Sequence, residues 1–322
     1  MARLHGNPGR TGTVAAVRRY VRAVRHAVQQ AGAPDRTDEV LAAVGHLETS
    51  LLSLRNPGSL NEAEFKVFSQ FGEDGAIQYL LHHVQVPETT FVEIGVESYR
   101  ESNTRFLAVN DNWRGLAVDG SEDHVRFIAE SDLGWRADVR AVQRFVTREN
   151  IDALLEEHGF TGDIGLLSID VDGMDYWLFE AVTVARPAVL VMEFNPLFGP
   201  DRRLTVPYSP DFVYSQAHWS RQYYGASLAA LESLAATKGY VLAGVSNHVV
   251  NAFFVRADLA TGLSTTTSAE AWRPSRVLSS RAEDGSLQPV ADIRQRLAPI
   301  AHLPLLDLES GQEVRVGVLL DR

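Results

Sequence analysis

The stretch LLSIDVDGMDYW sets Asp170, Asp172 and Asp175 directly behind an apolar run, and RPAVLVMEFNP ends the next run in Glu193, Asn195 and Pro196. If these runs are neighbouring strands of a parallel sheet, their carboxylates converge on one edge. Carboxylate and amide oxygens at Asp170, Glu193 and Asn195 suit Mg²⁺ or a similar hard divalent ion. Without a cation, several buried carboxylates would repel and at least one would take up a proton. Two of the acids have plainer uses: Asp175 can cap the helix YWLFEAV, the reading preferred here, and Asp172 can shape a turn at Gly173. Asp172 also stands as a proton acceptor, beside Asp170 at the reacting centre.

Two earlier runs carry the other candidates. FVEIGVES places Glu93 and Gly95 at a strand end, where a glycine lets backbone approach a ligand closely. LAVDGSED places Asp119 after the following run. A carboxylate there can accept two hydrogen bonds from a vicinal diol, and Glu93 with Asp119 favours a nucleoside-containing ligand. His82, His83, His218 and His248 can each act as a base near neutral pH. His218, in SQAHWSRQYYGAS just past the acidic strand ends, is the one assigned that part.

The elements that must position these groups follow from the pattern between Phe65 and Arg256. Short apolar runs alternate with amphipathic stretches, which predicts a mainly parallel sheet covered by helices. Strands are predicted at Thr90–Ile94, Gly115–Val118, Arg136–Ala141, Ile164–Ile169 and Ala188–Phe194. Tyr240–Val245 and Val250–Val255 follow as an antiparallel pair. Ligands in such sheets bind at the carboxyl ends of the strands. Helices are predicted at Gly75–Val84, Asn103–Asn110, Asp123–Glu130, Arg148–His158, Asp175–Thr183 and Ser227–Lys238.

Ahead of the sheet, Val14, Val17, Val21, Val24 and Val28 recur at helical spacing among arginines, predicting a basic amphipathic helix for docking or self-association. A second helix runs from Asp38 to Leu54 and stops at Asn56-Pro57-Gly58. The expected organisation is a helical extension over 1–58, an α/β domain over 59–257 and a tail over 258–322 with no chemistry visible in it.

Composition narrows the function. The 322 residues carry a formal charge of −11, which argues against broad contact with nucleic-acid phosphates. Nothing approaches the roughly 18 uninterrupted apolar residues of a membrane span. No secretory signal is evident, so the cytoplasm is the expected compartment. The absence of cysteine excludes disulfides, thiolate zinc sites and cysteine nucleophiles.

SQFGEDGAIQYLL, FVEIGVES, SNTRFL, WRGLAVDGS, LLSIDVDGMDYWLFEAV, RPAVLVMEFNP and YGASLAALESLAATKGYVL, spread from Phe68 to Val255, together resemble class I S-adenosylmethionine-dependent methyltransferases of the FkbM-like group. The resemblance implies a Rossmann-like sheet with an antiparallel last strand, and O-methylation of a sugar or natural-product hydroxyl. It implies that Glu93 and Gly95 face the methionine and ribose of the cofactor, with Asn103 on the same side. Asp119 would hold the ribose hydroxyls, Ser121 would lie near the adenine, and Asp138 and Val139 would flank the base. Asp170 would sit beside the reacting methyl, and Ser69, Gln70 and Asp74 would close over the cofactor. The second glycine of the commonest first-loop pattern is missing, since Val96-Glu97-Ser98 follows Gly95. The acidic strand ends are similar in position to those of Mg²⁺-dependent O-methyltransferases. Tyr208, Trp219, Tyr223 and Tyr224 are read as the wall of a pocket for a small sugar or polyketide-like acceptor. The alternatives are a nucleotide-sugar or NAD-type enzyme on the same fold, against which the missing GxGxxG counts, and a non-catalytic scaffold using the basic N-terminal helix.

Overall fold

The computed structural model describes residues 37–320. The predicted helix around Val14–Val28 lies outside the described residues. Helix α1, Thr37–Arg55, ends where Asn56 turns left-handed at φ 44° and donates its N–H to Leu52 O. Asparagine tolerates that conformation, and Pro57 behind it cannot continue a helix.

Seven strands form the main sheet in the order β3-β2-β1-β4-β5-β8-β7. They are β1 Thr90–Ile94, β2 Arg114–Asp119, β3 Val139–Gln143, β4 Gly162–Ile169, β5 Ala185–Glu193, β7 Tyr240–Val245 and β8 Asn251–Arg256. The first five run parallel, and β8 is antiparallel to both neighbours. The central strands read as unbroken apolar runs because both faces are covered. Val92, Ile94, Leu167 and Ile169 pack on one face with helices Ile151–His158, Asp175–Ala181 and Leu228–Thr237. Phe91, Ala117, Leu166 and Val191 pack on the other with helix Glu73–His83.

The strand expected at Arg136–Ala141 is β3, displaced toward the C-terminus. Arg136 ends a short helix and Asp138 precedes the strand, its carbonyl accepting from Gly115 N–H. Edge strand β3 is only partly buried, so its apolar pattern is blurred.

The tail is more integral than an appendage. Strands β9 Pro304–Asp307 and β10 Gln312–Arg315 build a second sheet on β6, Leu204–Thr205, a two-residue strand between β5 and β7 in sequence. Leu297, Ile300, Leu305 and Val316 join the same core as β4 and β5. Polar ties fasten it further: Arg202 pairs with Asp307, and Trp272 Nε1 donates to Pro196 O at 3.0 Å.

Candidate active site

Because β1 to β5 are parallel, their carboxyl ends share one edge, and strand order reverses there between β1 and β4. The ends are cross-tied: Gly95 N–H donates to Val118 O at 2.9 Å and Asp170 N–H to Ile94 O at 3.0 Å. Gly95 has φ 87°, and a Cβ on it would stand 1.7 Å from Asp170 O. The neighbouring strand end by itself therefore requires a glycine here.

Glu93 is buried and accepts from Ser102 Oγ, from the Asn103 and Thr104 N–H groups, and from Thr104 Oγ1. Burial pushes its carboxyl above the usual range, and these donors pull against that shift. It pins the loop into helix Arg105–Asn110, while Asn103 Nδ2 donates to Ser168 Oγ at 3.1 Å. Glu93 and Asn103 both line a cleft described below.

Asp119, at the end of β2, accepts from Glu97 N–H through Oδ2 and from Ser121 N–H through Oδ1, each at 2.8 Å. His124 Nδ1 lies 3.0 Å from the same Oδ1. Ser121 is the N-cap of helix Glu122–Glu130. Asp119 lines a first cleft of about 790 Å³, mouth included, with Gly95, Val118, Phe145, Val146 and Met174 among its walls. Asp138 and Val139 are absent from that wall, since Asp138 precedes β3 and Val139 begins it, at the opposite end of the strand from the cleft. The residues leaving the carboxyl end of β3, Arg144–Thr147, line it instead. Sequence reading missed them because the strand was placed too early.

The loop after β4 is organised by Asp175, which accepts from Val171 N–H and Gly173 N–H at 3.0 Å each. Met174 is the N-cap, so Asp175 works in the first helical turn and fixes the loop as well as the helix start. Asp172 sits there left-handed at φ 54°. Together with Glu193 at the end of β5, Asp170 and Asp172 offer one oxygen each, all within 4.8 Å of one another. Burial, then the surrounding carboxylates, hold Asp170 and Glu193 well above the usual carboxylate range. Glu193 Oε2 is buried with no hydrogen-bond partner.

Asn195 stands outside this group. Its Nδ2 donates to Gln222 O and Tyr224 O, and its Oδ1 accepts from Leu197 N–H, so the whole amide is engaged by backbone. It is the N-cap of a short 3₁₀ turn ahead of which Glu193 ends the strand. His218 is also elsewhere. It bonds Ser220 Oγ, with its ring tilted against Trp219 and edge-on to His302, and lines neither cleft. Ser69 and Asp74 are buried and bonded together, with Asp74 also holding the Val67, Phe68 and Ser69 N–H groups. Gln70 alone of that trio reaches a cleft.

Gly95, Glu97, Asp170 and Asp172 are common to the first cleft and a second, more polar one of about 1320 Å³, mouth included. Glu193, Tyr214, Tyr224 and three arginines complete much of its wall. The expected aromatic wall is dispersed. Tyr224 lies here and Tyr208 lines the first cleft, whereas Tyr223 donates to Pro304 O in the core and Trp219 is exposed beyond either wall.

Strand order, one antiparallel strand and acidic strand ends at the switch point define a Rossmann-like class I methyltransferase sheet. A family model described as the methyltransferase FkbM domain matches residues 63–219. That span, a little under half of the chain, is similar to the methyltransferase FkbM family. The match favours a methyltransferase over the NAD-type and nucleotide-sugar readings. Similar solved structures include a SAM-dependent methyltransferase from Aquifex aeolicus, at 12% identity over 65% of this chain and 98% of that one, TM-score 0.34. Another is geranyl diphosphate C-methyltransferase from Streptomyces coelicolor with Mg²⁺, geranyl diphosphate and S-adenosyl-L-homocysteine, at 15% identity over 57% and 80%, TM-score 0.36. A third is an O-methyltransferase from Bacillus cereus with SAH, at 14% identity over 72% and 95%, TM-score 0.33. No curated protein matches the sequence. Among the described residues no helix is long and apolar enough to cross a membrane.

Proposed function

We propose that the protein transfers the methyl group of S-adenosylmethionine to a hydroxyl of a small sugar-like or polyketide-like acceptor, with a divalent cation such as Mg²⁺ held by Asp170, Asp172 and Glu193. The buried, unpartnered Glu193 Oε2 beside two further carboxylates carries this reading. A cation would turn their repulsion into coordination and remove the orphaned acceptor.

The first cleft fits the adenosine part. Phe145, Val146 and Met174 supply apolar walls, while Asp119 supplies a carboxylate for the ribose diol. Glu93, Gly95 and Asn103 lie toward the second cleft and take the methionine end. Transfer forms a bond from the acceptor oxygen to the methyl carbon as the sulfur–carbon bond breaks. The sulfonium leaves as a neutral thioether, and the hydroxyl proton goes to a carboxylate. The chain's part is to align the oxygen with the methyl and keep water out. When bound, the cation supplies Lewis acidity that lowers the hydroxyl pKa. Asp172 contributes one oxygen to the cluster and keeps its other for the proton; His218 lines neither cleft.

Titration calorimetry of the full chain with S-adenosylhomocysteine, with and without Mg²⁺, tests the assignment. Saturable binding is expected, and Asp119→Ala should weaken it. A folded protein that ignores the compound at every concentration would end this proposal. Methyl transfer to hydroxylated acceptors, read by mass spectrometry before and after chelation, tests the chemistry and the metal separately.

A further inference from the structure

The second cleft is not uniformly acidic. Facing its carboxylates are Arg221, Arg281 and Arg296, drawn from two parts of the sequence. Short ties bring them together. Arg281 N–H donates to Ser220 O at 3.2 Å, and Arg296 Nε donates to Gln222 Oε1 at 2.6 Å. Arg221 lies between those two anchors. It is left-handed at φ 54°, with its N–H donating to His218 O at 3.0 Å. Non-glycine residues persist in that conformation where surrounding structure imposes it, commonly at ligand-binding positions.

The three guanidinium groups lack the partners such groups ordinarily have. Arg296 is only 5% exposed, yet its bonds go to neutral acceptors, Gln222 Oε1 and Val277 O. The Arg281 side chain reaches only Gly285 O, at 3.5 Å. Among the described residues none of the three forms an ion pair. A guanidinium cannot shed its proton, so a buried one needs a counter-charge. The acidic cluster answers this in part, since Arg221 eases Asp172, whereas the rise at Glu193 is set by burial and the neighbouring carboxylates. Ser275 and Ser279 add hydroxyls to the same wall.

We propose that Arg221, Arg281 and Arg296 bind an oxyanion of the methyl acceptor, which is therefore a hydroxylated molecule carrying a phosphate or carboxylate group. This rests on the methyltransferase reading of the same site. Planar guanidinium forks match such oxygens in pairs, which a neutral sugar cannot exploit. The anionic group docks on the arginine wall, and the hydroxyl is thereby directed at Asp170, Asp172 and Glu193 across the cleft.

Calorimetry on the full chain saturated with S-adenosylhomocysteine tests this with four probes: inorganic phosphate, glucose 6-phosphate, glucuronate and glucose. The anions are expected to bind and glucose is not; preference between the phosphates and glucuronate identifies the oxyanion. Arg281→Gln and Arg221→Gln should each weaken anion binding by about tenfold to a hundredfold, with S-adenosylhomocysteine affinity unchanged. Arg281→Lys should fall between, and circular dichroism checks that each variant folds. The proposal is overturned if the homocysteine compound binds and no anion does, or if the variants bind anions as the parent does. It is equally overturned if the variants lose S-adenosylhomocysteine instead, since the wall would then serve the cofactor's carboxylate. Should S-adenosylhomocysteine not bind at all, the methyltransferase assignment fails, and anion titration of the unliganded chain still reads the wall by itself.

Discussion

Glu193→Gln separates electrostatic strain from metal binding in one variant. Two unit charges 4.8 Å apart, the limit within which the Asp170, Asp172 and Glu193 oxygens fall, repel by about 3.5 kcal/mol at an effective dielectric constant of about 20. Burial and then the neighbouring carboxylates raise both Asp170 and Glu193, which favours a shared proton over that repulsion. An acid whose folded pKa is raised gives its stability in full below its unfolded pKa and loses it as pH climbs through the folded value. The metal-free protein should therefore weaken as pH climbs from acid, below the ordinary carboxylate range, through the raised values of these two groups. Glutamine imitates the protonated acid, so the variant should match the parent at the acidic end and exceed it by about 1–3 kcal/mol at the alkaline end. Mg²⁺ reverses the ranking. At about a hundred times its dissociation constant it should add about 2.7 kcal/mol to the parent, and much less to a variant missing one of three ligands. Urea unfolding followed by tryptophan fluorescence, at both pH limits with Mg²⁺ and with chelator, reads all four values. If the variant keeps the parent's pH slope and gains as much from Mg²⁺, the cluster is neither strained nor a metal site.

Three further substitutions probe the edge. Gly95→Ala must place a Cβ against Asp170 O at φ 87°, and should cost about 3 kcal/mol or more of stability, seen as a lower Tm. Asp119→Ala removes the acceptor for Glu97 and Ser121 N–H and the proposed ribose partner; S-adenosylhomocysteine should bind about tenfold to a hundredfold more weakly in calorimetry. Asp175, pushed up to about 7 mainly by burial, destabilises the fold increasingly as pH rises through that value. Asp175→Asn should be less stable in acid, because an amide offers one oxygen where Val171 and Gly173 use two, and should show a shallower decline toward neutrality in unfolding titrations.

The interior of the fold was legible because it is written in contiguous runs. Strands β1 and β7 begin and end where their apolar patterns do, and β8 pairs antiparallel with β7 as the sequence implied. At the sheet's edge the signal failed. Half-buried β3 has no clean pattern, so the predicted strand starts too early, takes in Asp138 and leaves out the Arg144–Thr147 wall beyond its end. Asn195 illustrates a different limit, since sequence lists an amide's oxygen but not the backbone groups that will claim it. The arginine wall had no local signature at all. Its members are joined by bonds from 220 to 281 and from 222 to 296, and nothing near any of them in sequence marks the others. A two-residue strand such as β6 is likewise too short to declare itself, which is why the tail reads in sequence only as an appendage packed on the core.

That tail divides the molecule in time as well as in space. The last strand of the main sheet is complete at Arg256, with Glu93, Asp119, Asp170 and Glu193 already in the chain. Ser275, Arg281 and Arg296 are synthesised afterwards. A growing chain thus possesses the first cleft before it possesses the far wall of the second. The same separation lets inherited changes after Arg256 reshape one wall while the strand ends that face it stay as they were.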